Sequence, residues 1–364
     1  MKILHVAPPF LPVDDTAGYG GIERVIISLA AKQDTHTVHL AAPVGSRLKN
    51  SIIHTTVTPP GFFQTKERMD YLALRHASAV LDIAHMLRPD VVHLHDDYLL
   101  PFAHHLRAPS VLTLHSPRED FFGRLEPAEQ SGCHIVAISK RQQQIYEDAG
   151  FWVDEVIYHG VDTDHFVPSP DAPEHYLLSL GAIRPEKGQD IAIEIRAELE
   201  KSKVHLDLII AGNIADQTYF DTAISPHINV DISSHTDKMA AYREHRGITP
   251  RVFYAGEVND TQKIPLFQHA QAFLMPVRWE EPYGLVVAEA MSCGTPVLAS
   301  ALGSLPEIVS AESGRIVFLK SWTDGLLETL ALPREGVRRY AETHMSTTRM
   351  AAEYEAAYRL VARK

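Results

Sequence analysis

Two glutamates and a glycine carry the first chemical signal in this chain. In the stretch Trp279-Glu280-Glu281-Pro282-Tyr283-Gly284-Leu285-Val286-Val287-Ala288-Glu289-Ala290-Met291-Ser292-Cys293-Gly294-Thr295-Pro296-Val297, Glu281 and Glu289 flank a turn that carries Pro282 and Gly284. Each carboxylate can accept two hydrogen bonds from adjacent hydroxyls, as on a ribose or a hexose. Between them, the backbone of Tyr283, Gly284 and Leu285 opens a helical pattern. A helix N-terminus holds unpaired N–H groups and partial positive charge, which suits a phosphate. A phosphate with a polyol on either side is a nucleotide sugar. The plain alternative is that Glu281 is a solvated loop acid and Glu289 pairs with a lysine.

The elements around this turn are legible. Residues 272–277 read as a buried strand, residues 285–291 as a helix stopped by Cys293-Gly294, and residues 295–300 as the next strand. A strand that runs through a loop into a helix N-terminus places the loop at the carboxyl edge of a parallel sheet, where ligands bind. The same layout opens the chain: a strand at 3–7, a long loop, Gly20-Gly21, and a helix with Ile22, Val25, Ile26, Leu29 and Ala30 on one face. The G-x-G-x-x-G fingerprint is absent, which speaks against a nicotinamide site.

Strand and helix patterns then alternate. Strands are predicted at 36–42, 91–95, 111–115, 134–139 and 155–159, and a long helix at 66–87. This alternation predicts parallel sheets covered on both faces. The Pro-rich run 168–173 reads as a linker. Beyond it come strands at 176–180, 206–211, 252–256 and 314–319, helices at 189–199 and 261–270, an irregular insert at 213–250 with a helix at 238–245, and helical sequence from Trp322 onward.

The stretch 281–297 matches E-P-[FY]-G-x-x-x-x-E-A-M-x-x-G-x-P-V in every element. On this match the chain resembles glycosyltransferase family 4, retaining enzymes of the GT-B fold, over essentially its whole length. The resemblance implies two Rossmann-like domains facing a cleft, at 1–165 and 174–345, with the last helix, 346–364, crossing back to the first. It implies that Gly20 and Gly21 lie against the donor diphosphate and the acceptor, with Tyr19 and Glu23 as further acceptor contacts. His115, in a T-x-H stretch, would contact the donor sugar near the reacting carbon. Glu281 would orient sugar hydroxyls, Glu289 the ribose, and Glu257 and Val258 the base through their backbone. In Gly181-Ala182-Ile183-Arg184-Pro185-Glu186-Lys187-Gly188, Lys187 matches the family's diphosphate clamp. The family's arginine position is Ala182, so Arg184 would have to reach the phosphates from two residues farther on. Ser304 departs from the second glycine of the family's G-G-x-P-E.

Two metal motifs are set aside by the same comparison. His93-Leu94-His95-Asp96-Asp97 is the family's strand D-V-V-H-x-H, and Asp162-Thr163-Asp164 belongs to its N-G-V-D-x-x-x-F hinge, here beginning with His159. Neither a metal nor any other cofactor is expected; the nucleotide sugar is a substrate.

Composition bounds the partners. Net charge is −12, split evenly as −6 over residues 1–165 and −6 over the remainder. That balance argues against nucleic acid as a partner. No apolar run approaches a membrane span, so no transmembrane segment is expected, and peripheral membrane contact stays open. The N-terminus lacks an h-region, and Cys133 and Cys293 offer no disulfide framework, so a cytoplasmic location is expected. The partners expected are a nucleotide-sugar donor, UDP- or GDP-linked, and a saccharide or small-molecule acceptor. The competing readings are a nucleotide-sugar epimerase of the same fold and a non-catalytic nucleotide-sugar-binding protein.

Overall fold

The computed structural model describes residues 1–14, 20–60, 65–117, 132–249, 251–318 and 322–363. It divides into two compact units, residues 1–160 with 347–364, and residues 161–346. The first holds β1 (Lys2–Val6), β2 (Thr37–Ala42), β3 (Ser51–Thr55), β4 (Val91–Leu94), β5 (Ser110–Thr113), β6 (Cys133–Ala137) and β7 (Glu155–Val156). They form a parallel sheet in the order β3-β2-β1-β4-β5-β6-β7. The second unit holds β8 (Tyr176–Leu180), β9 (Asp207–Ala211), β10 (Val230–Asp231), β11 (Val252–Gly256), β12 (Ala272–Met275), β13 (Val297–Ser300) and β14 (Gly314–Val317). Their order is β10-β11-β9-β8-β12-β13-β14, again with every pairing parallel. This is the expected α/β architecture of two parallel, helix-covered sheets.

The strands are buried along their length because both faces are covered, which is why they read as continuous apolar runs rather than alternating ones. Leu208, Ile209 and Ile210 in β9 are wholly buried, as are Val91 and Val92 in β4. β3 escapes prediction because it lies at an edge, with Ile52 half exposed and Ser51, His54 and Thr55 polar. The sequence 97–105 forms a 3-10 segment that periodicity does not reveal.

Strand order reverses between β1 and β4 in the first sheet and between β8 and β12 in the second. At such a reversal the connections leave in opposite directions and open a crevice at the carboxyl edge. The loops that follow β8 and β12 hold Arg184–Lys187 and Glu281–Gly284, so topology alone makes them neighbours.

The unit boundary falls at Gly160–Val161, earlier than the Pro-rich run. Segment 161–168 is stitched to the second unit: Val161 N–H donates to Met345 O at 2.8 Å, and Arg338 donates to the carbonyls of Thr163 and Phe166 at 2.8 and 2.6 Å. The chain returns to the first unit at Thr347, where the helix Thr347–Val361 buries Met350, Tyr354, Tyr358 and Val361 on one stripe. Tyr354 OH meets Thr113 Oγ1 at 2.7 Å, and Tyr358 OH meets His93 Nδ1 at 2.6 Å, both in the core. Arg349 donates to the carbonyls of Tyr158 and His159 at 2.6 and 2.9 Å.

Tyr358→Phe keeps the ring and strips buried His93 of a partner. It is expected to cost about 1–3 kcal/mol, read as a lower urea midpoint for the unfolding of the first unit. An unchanged midpoint would show that the Tyr358–His93 bond does not help to hold the helix.

Candidate active site

In the second unit the turn after β12 is built around one carboxylate oxygen. Glu281 is 7% exposed. Its Oε2 accepts from Lys187 Nζ at 2.7 Å and from the Trp279 indole N–H at 2.9 Å. The Trp279 ring also lies beneath two cations, Lys187 Nζ at 4.4 Å and the Arg184 guanidinium at 5.0 Å from its centroid. Glu281 is therefore not a solvated loop acid. Desolvation would be costly without partners, and here a charge-assisted bond and an indole donor offset it.

The backbone around Glu281 is held from a second loop. Gly303, at φ 60°, packs so closely that a Cβ there would lie 2.2 Å from Glu281 O and 2.3 Å from its N. Ser304 N–H donates to Glu281 O at 2.8 Å, and Ser304 Oγ donates to Tyr283 O at 2.8 Å. The departure at Ser304 thus adds a side-chain tie that a glycine cannot make. Gly284, at φ 85°, caps the helix Leu285–Ser292 in the left-handed region, and Leu285 is half-buried. No acidic side chain occupies the first turn of that helix.

Lys187 ends a short 3-10 turn, Pro185–Lys187, followed by Gly188 at φ 69°. A Cβ on Gly188 would lie 2.0 Å from Pro276 O, so the loop after β8 is pressed against the end of the chain after β12. Arg184 stands on the same side of the turn with its side chain 37% exposed, and its Nε is 3.8 Å from Glu186. The structure therefore groups Arg184, Lys187, Trp279 and Glu281.

Glu289 has the lysine partner that the plain alternative names. It is 2% exposed, and both oxygens accept from Lys263 Nζ at 2.9 Å. Lys263 also meets Asp260 at 3.2 Å and lies 5.2 Å from the centre of the Phe166 ring. Glu257 and Val258 lie past the end of β11, exposed and half-buried respectively. Trp279 and Lys263 escaped the sequence reading. Trp279 opens the signature stretch, which was its only signal; Lys263 is one of many helix lysines and carries none.

In the first unit, Gly20 has φ 112° and caps the helix Gly21–Ala30. A Cβ at Gly20 would collide with Glu23 Oε2 at 2.3 Å, whereas one at Gly21 would meet nothing within 4 Å. The two glycines are thus not equivalent: only Gly20 is required by the backbone. Tyr19 lies outside the described residues. His115 sits past the end of β5, its Nε2 3.0 Å from His95 Nδ1 and its Nδ1 3.2 Å from His159 Nε2. Loss of hydration in this setting pushes its pKa down to about 3, so the ring is neutral. His5, His93 and His95 bring ring nitrogens within 4.8 Å of one another, close enough to hold a metal ion.

Glu23 is 6% exposed, and burial pushes its pKa up to about 7. A folded-state pKa above the unfolded value means that the stability contribution is present in acid and fades as pH rises through about 7. Glu23→Gln is expected to gain on the wild type as pH is raised through that window. Equal melting temperatures for the two at every pH would refute the assignment.

Sequence and structure comparisons bear on the family and the fold. Residues 19–165 match the model for glycosyltransferase family 4, and residues 161–331 match that for glycosyl transferases group 1. A D-inositol 3-phosphate glycosyltransferase of Mycobacterium leprae is 29% identical over 49% of this chain. The match covers 40% of that relative, so the chain spans under half of its length. Among solved structures, a glycosyltransferase involved in avilamycin A biosynthesis superposes with a TM-score of 0.67 at 22% identity, covering 100% of this chain and 98% of its own. Anabaena HepE in complex with UDP and glucose gives 0.70 at 18% identity, covering 98% and 99%. Two parallel sheets, a matched model on each half and full-length structural neighbours place the chain in the group 1, family 4 glycosyltransferases of GT-B fold.

Proposed function

We propose that this chain is a retaining glycosyltransferase that moves a hexose from a nucleoside diphosphate sugar, UDP- or GDP-linked, to a hydroxyl of a saccharide or small acceptor. One observation carries the reading: a cation pair, Arg184 and Lys187, and a buried glutamate, Glu281, meet on one indole at the N-terminus of a helix.

A diphosphate suits that arrangement. Lys187 and Arg184 offer positive charge, and the first N–H groups of the helix Leu285–Ser292 offer donors. As the sugar–phosphate bond breaks, charge grows on the leaving oxygens, and fixed cations stabilise it most in a site shielded from water. The charge is met by side chains, so the scheme calls for no metal and no cofactor. Glu281 keeps one oxygen between Lys187 and Trp279, which fixes the carboxylate's orientation toward sugar hydroxyls. Glu289, with Lys263 beside it, is assigned to the ribose, and the backbone of Glu257 and Val258 to the base. To the first unit the reading assigns Gly20, Gly21 and His115. A neutral His115 does not repel the oxocarbenium-like centre that forms during transfer. The acceptor attacks on the face the diphosphate leaves, and a phosphate oxygen takes its proton; no residue is assigned as covalent nucleophile.

HepE binds UDP and glucose in a chain of this fold, which supports the donor class. No described helix is long and apolar enough to cross a membrane, and Cys133 and Cys293 are buried and unbridged. Both fit the cytoplasmic location proposed here.

Glu281→Ala is expected to lower transfer by a factor on the order of a thousand while the nucleotide still binds; unchanged turnover would remove Glu281 from the site. Lys187→Ala is expected to weaken UDP or GDP far more than the nucleoside. An equal loss for both would misplace the clamp. A saturating nucleoside diphosphate, at about a hundred times its Kd, is expected to stabilise the wild type by roughly 2.7 kcal/mol, with or without EDTA. A thermal shift abolished by EDTA would overturn the metal-free scheme.

A further inference from the structure

Imidazoles step across the carboxyl edge of the first sheet, and hydrogen bonds join four of them in single file. Gln33 Oε1 lies 2.8 Å from His5 Nε2. His5 Nδ1 lies 3.1 Å from His95 Nε2, His95 Nδ1 lies 3.0 Å from His115 Nε2, and His115 Nδ1 lies 3.2 Å from His159 Nε2. An amide oxygen only accepts, so His5 carries its proton on Nε2. A neutral imidazole has one donor and one acceptor, so His5 Nδ1 then accepts and His95 must donate from Nε2. The same step repeats at His115 and at His159. Burial depresses the pKa of every ring in the file, His5 to about 4 and His115 to about 3, which keeps them neutral.

A fifth ring, His93, stands beside the file, with Nδ1 2.6 Å from Tyr358 OH and Nε2 2.8 Å from Thr113 Oγ1. No ring of the file has to be charged to satisfy its neighbours.

We propose that Gln33 is a positioning residue for His115: one buried carboxamide fixes the proton of His5, His95, His115 and His159 on Nε2, and so locks the His115 ring. Reversing the file means moving four protons together and giving up the Gln33 contact, so the rings act as one unit. His115 then offers no acidic proton to a ligand and serves as a rigid neutral surface. The role in transfer rests on the reading that His115 meets the donor sugar.

The test is nitrogen NMR on protein labelled with ring-15N histidine, where protonated and bare ring nitrogens resonate far apart. All four rings are expected as the Nε2–H form in the wild type. Gln33→Met keeps the length and removes the acceptor. The two nitrogen shifts of His115 are then expected to move toward each other as both tautomers populate. Its kcat is expected to fall on the order of tenfold with little change in donor KM. A wild-type His115 protonated on Nδ1 overturns the proposal, as do unchanged His115 shifts or unchanged kcat in Gln33→Met. So does a transition metal that copurifies in equal amount and is held by His5, His93 and His95, because a ring nitrogen that ligates a metal cannot also serve in the hydrogen-bonded file. If Gln33→Met does not fold, the wild-type spectra still decide the tautomers. The spectra need no turnover, so a protein that transfers no sugar fails the assigned function separately.

Discussion

A carboxylate taken out of water must be paired, and much of the second unit can be understood from how Glu281 meets that demand. Its carboxylate partners come from different places in the sequence, Lys187 from the loop after β8 and Trp279 from the turn after β12, while its backbone carbonyl accepts from Ser304 N–H in the loop after β13. Three loops are thus fixed relative to one group. The close approaches at Gly188 and Gly303 are the steric counterpart, since each puts backbone where a side chain would have stood. An arrangement so tightly determined has little freedom left to reorganise when charge appears nearby, which is the condition for strong electrostatic stabilisation.

Topology explains why those loops meet at all. In a parallel sheet the chain leaves the carboxyl edge after every strand, but only where the order reverses do two successive exits diverge. β8 and β12 are adjacent strands separated by roughly ninety residues of chain. The first sheet repeats the device between β1 and β4, and there the groups on either side are His5 and His95.

The fold was legible because burial on both faces leaves unbroken apolar runs between turn signals, as in β9 and β11. The edge strand β3 was not, since none of its residues is fully buried. The signature turn was legible because its residue types are demanded by local geometry: Gly284 by a left-handed backbone, Glu281 and Glu289 by spacing. Lys263 and Trp279 were not, because an ordinary lysine on a helix gains its meaning only from the carboxylate it faces across the unit. For Glu289 the pattern identifies the residue, while its buried lysine partner is set by the packing of two helices. The early unit boundary has the same origin. Proline content marks Pro168–Pro173 as a linker, whereas the bonds from Arg338 tie the preceding segment into the second unit.

The two units solve the burial of polar groups in opposite ways. The second uses ion pairs, Lys187 with Glu281 and Lys263 with Glu289, where each charge is needed by its partner. Removing one partner there leaves a charge stranded, a penalty of several kcal/mol. The first unit buries its polar edge with neutral rings that share protons, so removing one member breaks bonds without stranding a charge. The ionic arrangement suits the anion site proposed above, because its cations are already oriented and held in place. The neutral arrangement suits a place where positive charge develops, because a file of uncharged imidazoles holds its shape without adding repulsion. Under the function proposed above, the charged cluster of the second unit is assigned to the anionic leaving group and the neutral cluster of the first unit to the cation-like sugar.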